Sequence, residues 1–274
     1  MKIKFKSDTE RLFFINFSGY FAIRSLFSDS FLHYMSKSNK ITIQNDYIFL
    51  NQFNSQFLTK TSYSFTQRLL DIYQRATVIL KLVPGVKAFS LCNSLALNTN
   101  HKDSDVDIFI ILNHDTFFTT RLLIILIFNL LKLRPKVCLS FFVSNKHLDL
   151  SDIKLNNDIY LSVWLNTLDF HTCDKDLILN FNKQNSITAK FHVSFKKKNI
   201  TSLFEPILKW YQLKRARSKQ ARLKNSYGVV ISDTMLKFHH SDIRKTFNPL
   251  YLRQYDEFLQ GNHVKTYQQS LLME

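Results

Sequence analysis

The segment DVDIFIIL, residues 105–112, constrains this chain more than any other. Its β-branched and aromatic residues read as a β-strand, yet two carboxylates, Asp105 and Asp107, sit inside it. Side chains two apart on a strand share a face. Both aspartates therefore project together, while Val106 and Ile108 point to the opposite, buried side. Burying a carboxylate is costly unless it is compensated, and two neighbouring carboxylates repel unless one is protonated or a cation lies between them. Mg²⁺ takes oxygen ligands and keeps part of its shell for water or substrate phosphate. A D-x-D pair at a strand end thus suits metal-bound nucleotide phosphates, and in a two-metal site it clamps the attacking and leaving oxygens. The competing reading is two exposed turn acids.

The flanking elements build a fold around this strand. Residues 64–83 read as a helix with Leu69, Leu70, Tyr73, Thr77, Leu80 and Val83 on one face, stopped by Pro84-Gly85. VKAFSLC (86–92) reads as a strand, followed by the polar turn NSLALNTNHKDS. After the aspartate strand comes a long buried helix with Asp115 as N-cap, then Pro135, then KVCLSFFVS (136–144) as a third strand. Helix, strand, turn, strand, helix, strand, with long connections, predicts an α/β (α+β) core: a mixed sheet flanked by helices. Before it, Ile23, Leu26, Phe27, Phe31 and Met35 have helical spacing, and two short strands flank Asn45-Asp46, a hairpin turn pair. This is either a small winged-helix-like module or an elaboration of the core. From residue 151 the chain reads as mostly helical. The expected parts are 1–60, 61–150 and 151–274.

Charge and composition narrow the function. Lys and Arg number 37 against 21 acids, for a net charge of +16, which favours an anionic partner. Only four glycines are present, so a Gly-rich phosphate loop is excluded, and neither a Walker A nor a GxGxxG pattern occurs. Cys92, Cys138 and Cys173 are odd in number and lack zinc spacing. They fit a reducing cytosol and read as small core residues. The most apolar run, residues 122–133, is twelve long, whereas a membrane span needs about twenty. A buried helix is expected there, with no membrane span. The N-terminal stretch lacks a secretory pattern, so a cytoplasmic location is expected.

Residues 186–224 hold eleven Lys or Arg and one acid, Glu205, with Trp210 and Tyr211 interleaved. They read as an RNA or DNA phosphate surface or as a solvated helix face. Leu208, Tyr211 and Leu223 lie on or near one face of the expected helix, and Arg215 and Arg217 could instead serve a bound triphosphate. His239-His240 are candidates for a base or metal ligand, or ordinary surface histidines.

The segment CNSLALNTNHKDSDVDIFII resembles the motif of the DNA polymerase beta-like nucleotidyltransferase superfamily: a strand, a Gly-Ser turn, a short helix, then an S-D-x-D strand. The matching residues are Asn93-Ser94 and Ser104-Asp105-Val106-Asp107 with Ile108-Phe109-Ile110, and the resemblance is specific over residues 68–144. More loosely, the whole chain is similar to bacterial nucleotidyltransferase-domain proteins, with TTRLL at residues 119–123 and CLSFF at 138–142. The resemblance implies transfer of a nucleoside monophosphate from an NTP to an acceptor hydroxyl. Mg²⁺ (or Mn²⁺) would be held by Asp105 and Asp107. Asn93, Ser94 and Ser104 are the nucleotide-side candidates, with Ser94 at the β- and γ-phosphates; Arg121, at the start of the next helix, could also reach a phosphate or be a solvated helix-flanking arginine.

Two departures stand out. Asn93 replaces the usual Gly of the turn, where a positive φ is expected, which Asn tolerates. No third carboxylate lies on the next strand. Ser140 is the polar residue in that place, expected to share a strand face with Cys138 and Phe142, and Asp149 lies beyond the strand. A binding protein on the same fold, for nucleotide or nucleic acid, with weak or no turnover, is therefore the alternative to the enzyme. A DNA-binding regulator driven by the N-terminal helices ranks last. The acceptor is not readable from the sequence.

Overall fold

A computed structural model describes residues 7–20, 22–58, 63–97, 99–100, 102–198, 200–222, 228–238 and 242–272. The chain opens with α1 (Asp8–Phe17), β1 (Ala22–Ile23), α2 (Asp29–Lys37), and the hairpin β2 (Ile41–Gln44) and β3 (Tyr47–Leu50). It continues through α3 (Tyr63–Leu82), β4 (Val86–Cys92), α4 (Asn93–Leu97), β5 (Val106–Leu112), α5 (Phe117–Leu130) and β6 (Val137–Ser144). The last part holds α6 (Ile159–Thr167), β7 (Asp169–Thr172), α7 (Lys175–Asn185), β8 (Lys190–Val193), α8 (Glu205–Gln220), β9 (Val229–Ile231), β10 (Met235–Phe238), α9 (Arg244–Leu259) and α10 (Tyr267–Leu271).

Seven strands form one mixed sheet in the order β8-β7-β4-β5-β6-β10-β9. The β5–β6 and β7–β8 pairs are parallel and the others antiparallel. Strand β5 lies at the centre and is buried along its whole length, as expected of a strand covered on both faces. Val106, Ile108, Ile110 and Leu112 join a core with residues of α3, α5 and α8, including Leu80, Phe128 and Leu213. Phe109 and Ile111 enter a second core with Trp164 and Leu165 of α6 and Ile178 and Phe181 of α7. The sequence pattern of helix, strand, turn, strand, helix, strand is what the centre of the fold adopts.

The C-terminal stretch, read as mostly helical, also supplies β7 to β10, four of the seven sheet strands. Each is three or four residues long, and segments such as DFHT and KFHV are too short and too polar to display a strand period. The N-terminal hairpin pairs with β1 in a separate sheet, β1-β3-β2. Its core is shared with the other end of the chain: Phe13, Phe14 and Phe17 of α1 pack against Phe247 and Tyr251 of α9. Packing thus crosses both expected boundaries, at 60 and at 150.

Asp115 does not cap α5; it pairs with Lys146 at 3.1 Å. The Glu205 carboxylate takes that place, accepting from the Phe118 and Thr119 amides at 2.7 and 2.9 Å. The one acid of the basic segment thereby neutralises orphan donors at a helix N-terminus and ties α8 to α5. Among the described residues, no helix is long and apolar enough to cross a membrane.

Candidate active site

Because β4 and β5 are antiparallel, Cys92 at the end of β4 lies opposite Asp107. The chain leaves β4 through Asn93, whose φ of 57° reverses its direction into α4. This is the left-handed conformation that Asn tolerates better than most residues. Ser94 follows, and its carbonyl accepts from the Thr99 amide at 2.8 Å, which folds the turn back toward Ser104 and Asp105. Asp105 precedes the first residue of β5 and is exposed, whereas Asp107 is only 9% exposed. Ser94, Ser104 and Asp105 line a cavity of about 350 Å³, together with aromatic residues that include Tyr20, Tyr160 and Phe247.

Asp107 is the electrostatic centre of this place. Burial, and then the charge of Asp105, push its carboxyl up to about 6, while hydrogen bonds from Asn93 and Cys138 act in the opposite direction. The turn asparagine therefore serves Asp107 as well as the backbone. Cys92, buried beside it, has its thiol pushed up, first by burial and then by the Asp107 charge.

On strand β6 the donor beside the aspartates is Cys138. Asp107 pairs with Cys138, but the next pair in register is Phe109 with Phe141. One residue of β5, Ile108, thus faces two of β6, a β-bulge, and a bulge inverts the alternation beyond it. Phe141 consequently lies in the core on the Asp107 side, and Leu139 and Phe142 lie in the opposite one. The expectation that Cys138, Ser140 and Phe142 share a face fails for this reason. The Ser140 side chain lies outside the described residues, as do His239 and His240. Cys138 occupies the position next to the aspartates. One carboxylate oxygen of Asp105, one of Asp107 and the Cys138 sulfur all lie within 4.8 Å of one another. This oxygen, oxygen and sulfur set is chemically fit to hold a divalent cation.

Two other candidates stand away from it. Arg121 of α5 sits on the opposite side of the sheet, with its guanidinium 5.3 and 5.1 Å from the rings of Phe142 and Phe238. Its Nη1 donates to Gln212 at 2.6 Å. Burial, then Arg134 and Arg215, lower its pKa to about 10. The nearly continuous apolar sequence of α5 gives no phase from which this inward orientation could be read. Asp149 lies in the loop after β6 and is not one of the three clustered donors. Its carboxylate accepts from the Ser151 amide at 2.8 Å and from the Ser151 hydroxyl at 3.0 Å.

A second cavity, of about 220 Å³, adjoins the first. Asn93, Phe141, Trp164, Lys237 and Arg244 line it, and Tyr160 borders both cavities. Burial lowers the Lys237 pKa to about 8 despite the nearby Asp242. Arg244 is held by Asp158 at 2.7 Å and by Asp242. Tyr160, Lys237 and Cys138 escaped the sequence reading because each comes to the site through tertiary pairing rather than through a local motif.

No curated protein and no solved structure matches the chain. Residues 77–160 match the family model described as the nucleotidyltransferase domain. That span runs from within α3 to the start of α6 and includes the Asn93-Ser94 turn, both aspartates and Cys138. The chain therefore carries a nucleotidyltransferase domain, consistent with the polymerase beta-like resemblance of its sequence.

Proposed function

We propose that this protein transfers a nucleoside monophosphate from an NTP to an acceptor hydroxyl, releasing pyrophosphate. The observation that carries this reading is the convergence of Asp105, Asp107 and Cys138 within 4.8 Å, with Asp105 lining the cavity that Ser94 and Ser104 also line. Asp105 and Asp107 would hold Mg²⁺ or Mn²⁺, and a bound divalent ion neutralises phosphate charge and polarises the phosphoryl oxygen. Ser94 and Ser104 would offer hydroxyl donors to the phosphates, and Asn93 positions Asp107. Catalysis of this kind rests mostly on positioning and charge stabilisation, so few side chains need take part. Cys92, Cys138 and Cys173 form no disulfide, which suits a reducing cytoplasm. The test is incubation of the protein with Mg²⁺ or Mn²⁺ and labelled NTPs. Pyrophosphate release or a labelled acceptor supports transfer; neither, with nucleotide bound, leaves the binding-protein alternative. Ser94→Ala is expected to weaken nucleotide binding by about 1 kcal/mol, the scale of one hydrogen bond. Calorimetric titration of the two proteins would expose an unchanged affinity and remove Ser94 from the phosphate site.

A nucleic-acid acceptor is the reading favoured by α8. Gln212 and Leu213 face inward, so Trp210 and Tyr211 stand 61% and 50% exposed among Lys209, Lys214, Arg215 and Arg217. The Lys214 ammonium lies 4.8 Å from the centre of the Trp210 ring. Exposed aromatics between cations fit stacked bases on a single strand. Leu223 lies outside the described residues. Trp210→Ala is expected to cost about 1–3 kcal/mol of single-strand affinity, read by fluorescence anisotropy of a labelled oligonucleotide over a salt series. Equal binding by the two proteins would leave α8 a solvated face.

A further inference from the structure

We infer that the cation site is a mixed oxygen and sulfur site in which Cys138 is a ligand, and that it selects a thiophilic divalent ion over Mg²⁺. The inference rests on the reading that Asp105 and Asp107 hold a cation, and it concerns which cation and through which third atom.

The backbone fixes the sulfur in place. Cys138 is the register partner of Asp107 on the adjacent parallel strand, and cross-strand partners project to the same face with Cβ atoms close together. The bulge that follows Cys138 turns the next residues to new sides without moving this pair. The sulfur thus meets both carboxylates within 4.8 Å because of strand pairing. Asp107 is nine-tenths buried and fixed by the Asn93 and Cys138 side chains, so its carboxylate cannot swing away to water. The first acid after β6, Asp149, is bound within its own loop.

The donor set decides the ion. Mg²⁺ is small and hard, requires near-octahedral oxygen ligands and gains little from sulfur. Soft thiolate ligands favour later members of the first-row series, and affinity for a given site rises from Mn²⁺ through Co²⁺, with Zn²⁺ also strongly held. A thiol binds such an ion only as thiolate, so loading the site releases the Cys138 proton to solvent. Two carboxylates and one thiolate then carry more negative charge than one divalent ion, which leaves no need for a fourth anionic protein ligand and leaves coordination positions for phosphate oxygens. Cys92 serves as a built-in control. It also neighbours Asp107, but it is buried on β4 and stands outside the three-donor cluster.

The experiment titrates the full-length, reduced protein with Co²⁺ and reads the near-ultraviolet thiolate-to-cobalt charge-transfer band, with proton release followed by an indicator dye. The parent and Cys92→Ser should both develop the band and release a proton. Cys138→Ser should do neither. Its Zn²⁺ affinity should fall by at least the roughly 10-fold that loss of a supporting group costs at a metal site, while its Mg²⁺ affinity stays unchanged. A folded parent that binds Co²⁺ without the band, or a band that persists in Cys138→Ser, overturns the sulfur assignment. Asp105→Asn and Asp107→Asn separate the two layers. If both bind Co²⁺ and Mn²⁺ as the parent does, the underlying carboxylate reading fails, whatever Cys138 does.

Discussion

Asp107→Asn is expected to stabilise the metal-free fold and, in the same molecule, to abolish nucleotidyl transfer. The stabilisation follows from linkage. Burial and the Asp105 charge raise the folded-state carboxyl from its ordinary 3.8 to about 6. A carboxyl raised in this way binds its proton more tightly in the fold than in the unfolded chain. Its contribution to stability is present below about pH 4 and is lost as the pH climbs through about 6. By neutral pH the ionised group costs about 3 kcal/mol at most, from the size of the shift. An amide of the same shape removes that cost. In chelator, the melting-temperature advantage of Asp107→Asn over the parent should therefore widen between about pH 4 and pH 7. With Mn²⁺ added the order should narrow or reverse, because the cation binds the ionised parent and stabilises it by mass action. Transfer should fall by roughly 10²-fold or more, beyond what loss of a mere supporting group costs. Asp105→Asn should lose transfer to a similar degree with a smaller gain in apo stability, since Asp105 is exposed. Full turnover in both variants would remove the aspartates from the chemistry; an Asp107→Asn melt that tracks the parent at every pH would remove the electrostatic argument.

The legible part of this molecule was the part written locally. D-x-D at the head of an apolar strand, and Asn-Ser in a turn after a strand, are properties of neighbouring residues, and the fold brings Asn93, Ser94, Ser104, Asp105 and Asp107 to one place. What the sequence could not display was set by pairing over distance. The bulge on β6 depends on how β6 seats against β5; nothing in KVCLSFFVS marks the extra residue, so simple alternation put Cys138, Ser140 and Phe142 on one face and polarity singled out Ser140. Arg121 looked free because arginine flanks are usually solvated, yet Phe142, Phe238 and Gln212 take it inward from three other elements. The union of α1 with α9 joins residues more than 200 apart through aromatic rings, and Phe-rich helices at either end of a Phe-rich chain carry no label naming their partners. The buried set of Asp158, Asp242, Lys237 and Arg244 likewise gathers the cap of α6, strand β10 and the start of α9, each unremarkable when read alone.

The corrected register moves the most informative gain-of-function substitution to position 138. Cys138→Asp places a third carboxylate opposite Asp107, where the strand pairing already puts a side chain beside both aspartates. In the superfamily that residues 68–144 resemble, a third carboxylate helps deprotonate the acceptor hydroxyl, and a positioned base contributes roughly 10²–10⁴-fold. With Mg²⁺ present, Cys138→Asp should transfer faster than the parent, and the hard oxygen set should now suit that ion. The gain carries a structural cost. A third negative charge beside Asp107, already driven toward protonation, destabilises the apo fold by like-charge repulsion, so the variant should melt lower than the parent in chelator and recover when Mg²⁺ is added. Cys138→Asn is the matched control, equal in shape and lacking the charge. The rate of Asp over Asn at position 138, measured as pyrophosphate release in protein shown to be folded, isolates the base from the packing change. The same change at position 140 has no partner opposite Asp107 in the register and should give no comparable gain. Equal rates for Cys138→Asp and Cys138→Asn would mean that the proton leaves the acceptor by another route, with Tyr160 and Lys237, which line the adjoining cavity, the next groups to substitute.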